Sequence, residues 1–150
     1  MSLLPLFQWL GHSPVGLFMQ QSTYAFAVVE MFHLLSLTVL GGVILIVDLR
    51  VFGFGLKSQT PGALAEQLNP LLVGSLIVGA ISGILLLSEE TIKCYYNPAF
   101  RAKMLFLALA VTFYFFVQKR LSGGFAKWAG FVSLLLWLCV GLAGRAIGFI

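Results

Sequence analysis

Glu30 and His33 lie three residues apart inside a long apolar run, and Asp48 and Arg50 close the same run. These are side chains that titrate, ligate and relay protons. An imidazole can hold a metal through one nitrogen while the other makes a hydrogen bond that fixes the ring. A carboxylate one helical turn away can orient that ring or exchange a proton with it. Inside hydrocarbon an unpaired charge is costly, so such residues are expected to face a protein interior and to find partners. For Glu30 the expected partner is Arg145 or Lys103.

The most specific chemistry this pattern allows is ligation of b-type haem by His33, a neutral imidazole inside a helical bundle. Gly41, eight residues further on, is expected on the same face and would give a flat macrocycle room. Arg145, Lys103 and Arg101 would hold the haem propionates. The chain has two histidines, so a bis-histidine site needs His12 to fold in, or a second chain. The plainer alternative is that His33 hydrogen-bonds Glu30 or a neighbouring helix and holds the bundle together. A proton or ion path through Glu30, His33 and Glu89 is a further reading. Nucleophilic catalysis has no signature here: there is no G-x-S-x-G. A zinc site would need more His or Cys than the chain holds. His12 on its own reads as an interfacial polar residue beside a helix cap. Cys94 and Cys139 have no metal-type spacing and are not expected to form a disulfide.

The composition dictates where these residues sit. Of 150 residues 60% are hydrophobic and 9% charged, against about 25% charged in soluble domains. So few charges cannot clothe a globular surface, so the chain is expected to be one integral membrane domain over residues 1–150. The net charge of +4 comes from 9 Lys and Arg against 5 Asp and Glu. It reads as loop topology, with no basic cluster able to track nucleic acid.

Four apolar stretches can each cross a hydrocarbon core of about 30 Å. They run over about 23–47, 68–87, 100–117 and 128–147. Residues 1–22 are expected to form short amphipathic helices lying in the interface. Ser13 would be an N-cap, Pro14 a first helical residue, and Trp9 would sit at headgroup depth. In the first link Thr60 or Ser58 is a cap, with Pro61 at a helix start. Tyr95 and Tyr96 in the second link look like an aromatic belt, and Gly123-Gly124 marks a tight turn in the third. The expected fold class is therefore all-α: an up-down-up-down four-helix membrane bundle behind interfacial helices.

At 100° per residue, Glu30, His33, Leu37, Gly41, Ile44 and Asp48 share one stripe of the first span. On the second span Ser75, Gly79, Ser82 and Glu89 line up, and Gly79 with Gly83 is a small-xxx-small pair. The up-down path then gathers Glu30, Glu89, Glu90, Arg101, Lys103 and Arg145 at one end. His33 lies deeper, about 15 Å from the start of its span. At the other end Asp48 and Arg50 are expected near Lys119 and Arg120. The first and third links carry Arg50, Lys57, Lys119, Arg120 and Lys127; the other side carries Lys93, Arg101, Lys103 and Arg145. By the positive-inside rule the former face the cytoplasm and both termini are periplasmic in a bacterial inner membrane.

V-E-x-x-H at Val29–His33, D-L-R at Asp48–Arg50, N-P-A-F-R-x-K at Asn97–Lys103 and G-R at Gly144–Arg145 resemble an uncharacterised family of short bacterial four-helix membrane proteins, over nearly the whole chain. The N-P-A-F-R-x-K run is the most specific piece. More loosely, a histidine in an early helix is similar to the J-type protoporphyrinogen oxidases and the copper-resistance D-type membrane proteins. The J-type oxidases also place a lysine at the start of a later helix. Here those positions are His33 and Lys103, and the likeness implies a porphyrin or quinone-side redox role. The chain departs from such relatives at Gln118, where some have histidine, which removes the simplest second haem ligand. Two functions follow as expectations: haem binding with electron transfer, or a non-catalytic accessory subunit of a larger membrane complex or homo-oligomer.

Overall fold

The computed structural model describes residues 3–55, 57–116 and 124–149. They form seven helices: α1 (Leu4–Gly11), α2 (Pro14–Gln21), α3 (Thr23–Val51), α4 (Pro61–Glu89), α5 (Thr91–Tyr96), α6 (Pro98–Phe116) and α7 (Phe125–Ala146). No described residue is in a strand. Four of the helices, α3, α4, α6 and α7, are long and apolar enough to cross a membrane. Their outward faces carry large apolar side chains such as Leu34, Leu45, Ile77, Ile81, Leu105, Leu109, Leu135 and Leu142. That much exposed apolar surface suits lipid and not water. The chain is a small multi-pass membrane protein.

Local chemistry sets the helix starts. Ser13 Oγ accepts from Gly16 N at 3.1 Å with Pro14 following, and Thr60 Oγ1 accepts from Ala63 N at 3.2 Å with Pro61 following. These are N-cap and first-turn proline pairs. Ser22 caps α3 through Ala25 N at 3.2 Å. Asn97 caps α6: its Oδ1 accepts from Ala99 N at 2.9 Å, and Pro98 is the first helical residue.

Two boundaries depart from the sequence expectation. The second span begins at Pro61 instead of near 68 and runs straight through Pro70. The Thr60–Pro61 start signal and the burial of Leu64 and Ala65 outweigh the hydrogen bond that Pro70 cannot donate. The second link is not irregular throughout, because residues 91–96 form the short α5. A Cβ on Gly11 would come within 2.6 Å of Thr91 Oγ1. Thr91, nearly fully buried, therefore needs a glycine opposite it. Phe7 of α1 meets the Tyr95 ring edge-on at 5.2 Å, so α1 is pinned on α5.

Among the long helices α3 packs on α4 and on α7, and α6 packs on α7. The core cluster is Leu40, Val43 and Ile44 of α3, Leu72 of α4 and Tyr114 of α6, backed by Leu76 and Trp137. At the end holding the N-terminus of α3, the short helices form a cap. Gln20 Nε2 donates to Gly11 O at 3.0 Å and Ser88 O at 3.3 Å, tying α2 to α1 and to the end of α4. Asn97 Nδ2 donates to Ile147 O at 3.4 Å, tying the start of α6 to the end of α7.

Four serines of α3 and α4 bond back to their own helices. Ser36 donates to His33 O at 2.7 Å, Ser75 to Leu72 O at 2.9 Å, Ser82 to Val78 O at 2.6 Å and Ser88 to Leu85 O at 2.6 Å. This satisfies each hydroxyl hydrogen without calling on a neighbour.

Candidate functional site: the His33 face of the helix pair

The site is built where α3 meets α4. The contact works because α4 offers small residues there: Gly79, Ser82 and Gly83. A Cβ on Gly79 would stand 3.1 Å from Ser36 Oγ, and one on Gly83 would stand 3.2 Å from His33 Cε1. The missing side chains are therefore the space that Ser36 and the imidazole occupy, as small-xxx-small pairs allow.

His33 Nδ1 lies 2.9 Å from Ser82 Oγ, and the Gly79 carbonyl lies beside the ring. The hydroxyl hydrogen of Ser82 is directed to Val78 O at 2.6 Å. A hydroxyl has one hydrogen and two lone pairs, so Oγ meets Nδ1 as an acceptor. This suits the tautomer that carries the ring proton on Nδ1, in which the Nε2 lone pair would be the ligating one. That is the arrangement in which a histidine binds a metal with its second nitrogen held by an outer hydrogen bond.

The other sequence candidates sit around this ring as follows. Lys103 is half-buried, with its aliphatic stem about a methyl's width from Gly144: a Cβ there would meet Lys103 Cε at 3.6 Å. The lysine acts electrostatically on both His33 and Cys94. Arg101 is exposed, stands over the Tyr95 ring at 5.5 Å and donates from Nε to Tyr95 O at 3.2 Å. Arg145 is exposed with its guanidinium 4.9 Å from the Phe149 ring centroid. Glu89 is half-buried beside Glu30, Glu90 and Lys93. Cys94, on α5, is half-buried; burial pushes its thiol up, and the Glu90 carboxylate adds to that. The end-of-bundle gathering of charge is thus present, split between acids on α3 and α4 and bases on α5, α6 and α7.

Three expectations are corrected. Glu30 does not pair with Arg145 or Lys103; it is exposed, and the ion pair found among the described residues is Lys93 Nζ to Glu90 Oε2 at 2.8 Å. Gly41 does not line the His33 face; it is exposed, with nothing within 4 Å of where its Cβ would be. The inward stripe of α3 instead runs His33, Ser36, Leu40, Val43 and Val47, with Ile44 and Asp48 beside it. His12 does not approach His33; it is the exposed C-cap of α1, with Nδ1 2.7 Å from Gln8 O. Gln118, Lys119, Arg120 and Gly123 lie outside the described residues.

One polar layer escaped the sequence reading. Asp48, expected at the membrane interface, is fully buried, and it acts electrostatically on Tyr114. Gly130 of α7 packs on Val51 and Phe52 of α3, and in antiparallel register that sets Ser133 level with Asp48. The hydroxyls of Tyr114 and Ser133 and the Trp137 indole N–H are buried with no hydrogen-bond partner among the described residues. The only signal for this layer was the spacing of Ser133 and Trp137, one turn apart on α7.

Comparison with known proteins adds a family and no activity. No curated protein matches the chain and no solved structure does. A family model described as a family of unknown function, DUF6644, matches residues 6–150. Four apolar helices and a match over almost the full chain therefore place this protein in the DUF6644 family.

Proposed function

We propose that this protein binds b-type haem through His33 and transfers electrons within a bacterial inner membrane. The observation carrying this reading is the Ser82–His33 pair, in which a hydroxyl 2.9 Å from Nδ1 holds the ring by one nitrogen, so that Nε2 would be the ligand atom. A haem would be held by one histidine of this chain, because His12 stands elsewhere. Lys103, half-buried and acting electrostatically on His33, would be the cation for a propionate; Arg101 and Arg145 are exposed against aromatic rings. Bound haem supplies one-electron chemistry. The chain's own residues orient the ligating ring (Ser82), make room for it (Gly83) and bring a positive charge to it (Lys103). The greater number of basic residues on the first and third links supports periplasmic termini.

An absorbance spectrum of the purified full-length protein tests the reading. A Soret band that disappears in His33→Ala, with the helical circular dichroism unchanged, supports it. A colourless protein that takes up no added haemin overturns it.

A second reading, an accessory subunit or homo-oligomer, is favoured by Glu30. Its carboxylate is exposed two turns into α3 beside the exposed Val28, Met31 and Phe32. A carboxylate on a lipid-facing flank calls for a partner helix that covers it. Crosslinking from a cysteine at Met31 in native membranes tests this: adducts that vanish in Glu30→Gln support it, and an uncrosslinked monomer sinks it.

A further inference from the structure

At the opposite end from His33, Ile46, Leu49, Arg50, Phe54 and Gly55 line a groove of about 190 Å³. Its walls are apolar. Ile46 and Leu49 are one turn apart on α3, and the chain folds back at Phe54, whose backbone N donates to Leu49 O at 2.9 Å. That fold-back needs Gly53 and Gly55, whose φ angles of +92° and +64° lie in the left-handed region. Arg50 forms the polar rim. Its Nε donates to Gln59 O at 2.6 Å, which fixes the guanidinium plane, and one terminal nitrogen reaches Lys57 O at 3.5 Å. Both acceptors are neutral carbonyls, so the cation is held in place without being neutralised. Lys57 is exposed close by, while Asp48, the nearest acid in sequence, is fully buried.

We infer that this groove is a binding site for an anionic phospholipid, with an acyl chain along Ile46, Leu49 and Phe54 and the headgroup phosphate on Arg50. Charge complementarity selects the occupant. A fixed guanidinium presents parallel N–H donors that match phosphate oxygens. The apolar wall beneath it continues the lipid-facing surface of α3. Basic pockets at helix ends are where anionic headgroups bind. A zwitterionic lipid offers the same phosphate, but its own ammonium opposes the Arg50 and Lys57 charges.

Native mass spectrometry of the full-length protein in detergent, with phosphatidylglycerol and phosphatidylcholine in competition, tests the site. The expected result is retention of phosphatidylglycerol over phosphatidylcholine by about fivefold, the ratio one interfacial cation supplies. Arg50→Gln abolishes the preference, while Lys127→Gln, which removes an equal charge at the start of α7 outside the groove lining, leaves it intact. Because Arg50→Gln also loosens the link, Ile46→Trp provides the second variant. It fills the groove, keeps the Arg50–Gln59 bond and lowers retention. Equal retention of both lipids, an equal loss in Lys127→Gln, or displacement of phosphatidylglycerol by inorganic phosphate alone would each overturn the proposal.

Discussion

A methyl group on Gly83 would stand 3.2 Å from Cε1 of His33. The glycine on α4 and the histidine on α3 are thus two halves of one contact. Gly83→Ala pushes the ring by a few tenths of an ångström, and Gly83→Val expels it. The valine variant is expected to lose about 1–3 kcal/mol through overpacking. Gly41→Ala, whose added methyl meets open space, is expected to leave stability unchanged or slightly raised. Thermal unfolding in detergent separates the two.

Ser82→Ala removes the acceptor at Nδ1 of His33 and costs about 1 kcal/mol. Its diagnostic effect is on the ring. Nitrogen NMR of labelled His33 is expected to show a fixed Nδ1–H tautomer in the parent chain and a mixture in Ser82→Ala. A parent chain that is already mixed contradicts the Val78–Ser82–His33 ordering of hydrogens.

Asn97 both caps α6 and reaches Ile147 O. Asn97→Ala is expected to cost about 0.5–2 kcal/mol as a lost cap, with faster hydrogen exchange at Ala99 and Phe100. Asn97→Asp keeps the acceptor for Ala99 N and is expected to recover most of the loss. Equal instability of both variants would mean that the Ile147 bond dominates.

Tyr114 is fully buried, and its hydroxyl has no hydrogen-bond partner among the described residues. Tyr114→Phe keeps the ring in the core and removes the orphan, so its stability is expected within about 1 kcal/mol of the parent. Tyr114→Ala empties the same space and is expected to cost about 3–5 kcal/mol. Denaturation of the pair distinguishes ring packing from hydroxyl bonding.

Cys94 and Lys93 of α5 both hold their protons more tightly in the folded chain: burial and Glu90 act on the thiol, and the hydrogen bond to Glu90 acts on the amine. Raised values contribute stability that is present at neutral pH and lost as the pH climbs through the alkaline range; these two groups cost nothing on the acid side. Alkylation of Cys94 by iodoacetamide, which needs the thiolate, is expected to stay slow at neutral pH. It should accelerate only above the range of an ordinary thiol. Denaturation should bring the rate to that of a free cysteine.

The four apolar helices, the two short helices before them and the Ser13–Pro14 and Thr60–Pro61 starts were legible because each depends on neighbours in sequence. So was the Gly79–Gly83 pair. The inward face of α3 was not, and the reason is physical. Stepping 100° from Glu30 leads through Gly41, but packing is decided by what the partner offers. Gly79, Ser82 and Gly83 draw in His33 and Ser36 and rotate Glu30 and Gly41 outward. Asp48 was expected on the inward stripe and is buried there; its meeting with Tyr114 was hidden, because only the packing of α3 against α6 and α7 decides it.

The back-bonded serines have a consequence for what the interior can accept. Ser36, Ser75, Ser82 and Ser88 have each already committed their one hydrogen to a carbonyl of their own helix. What they turn toward neighbouring groups is oxygen lone pairs. The inner surface of α3 and α4 is therefore basic in the hydrogen-bonding sense while carrying almost no formal charge. It discriminates by hydrogen count: groups rich in N–H or O–H are welcomed, and bare anions find nothing to hold them. His33 answers one of those lone pairs with its Nδ1 proton.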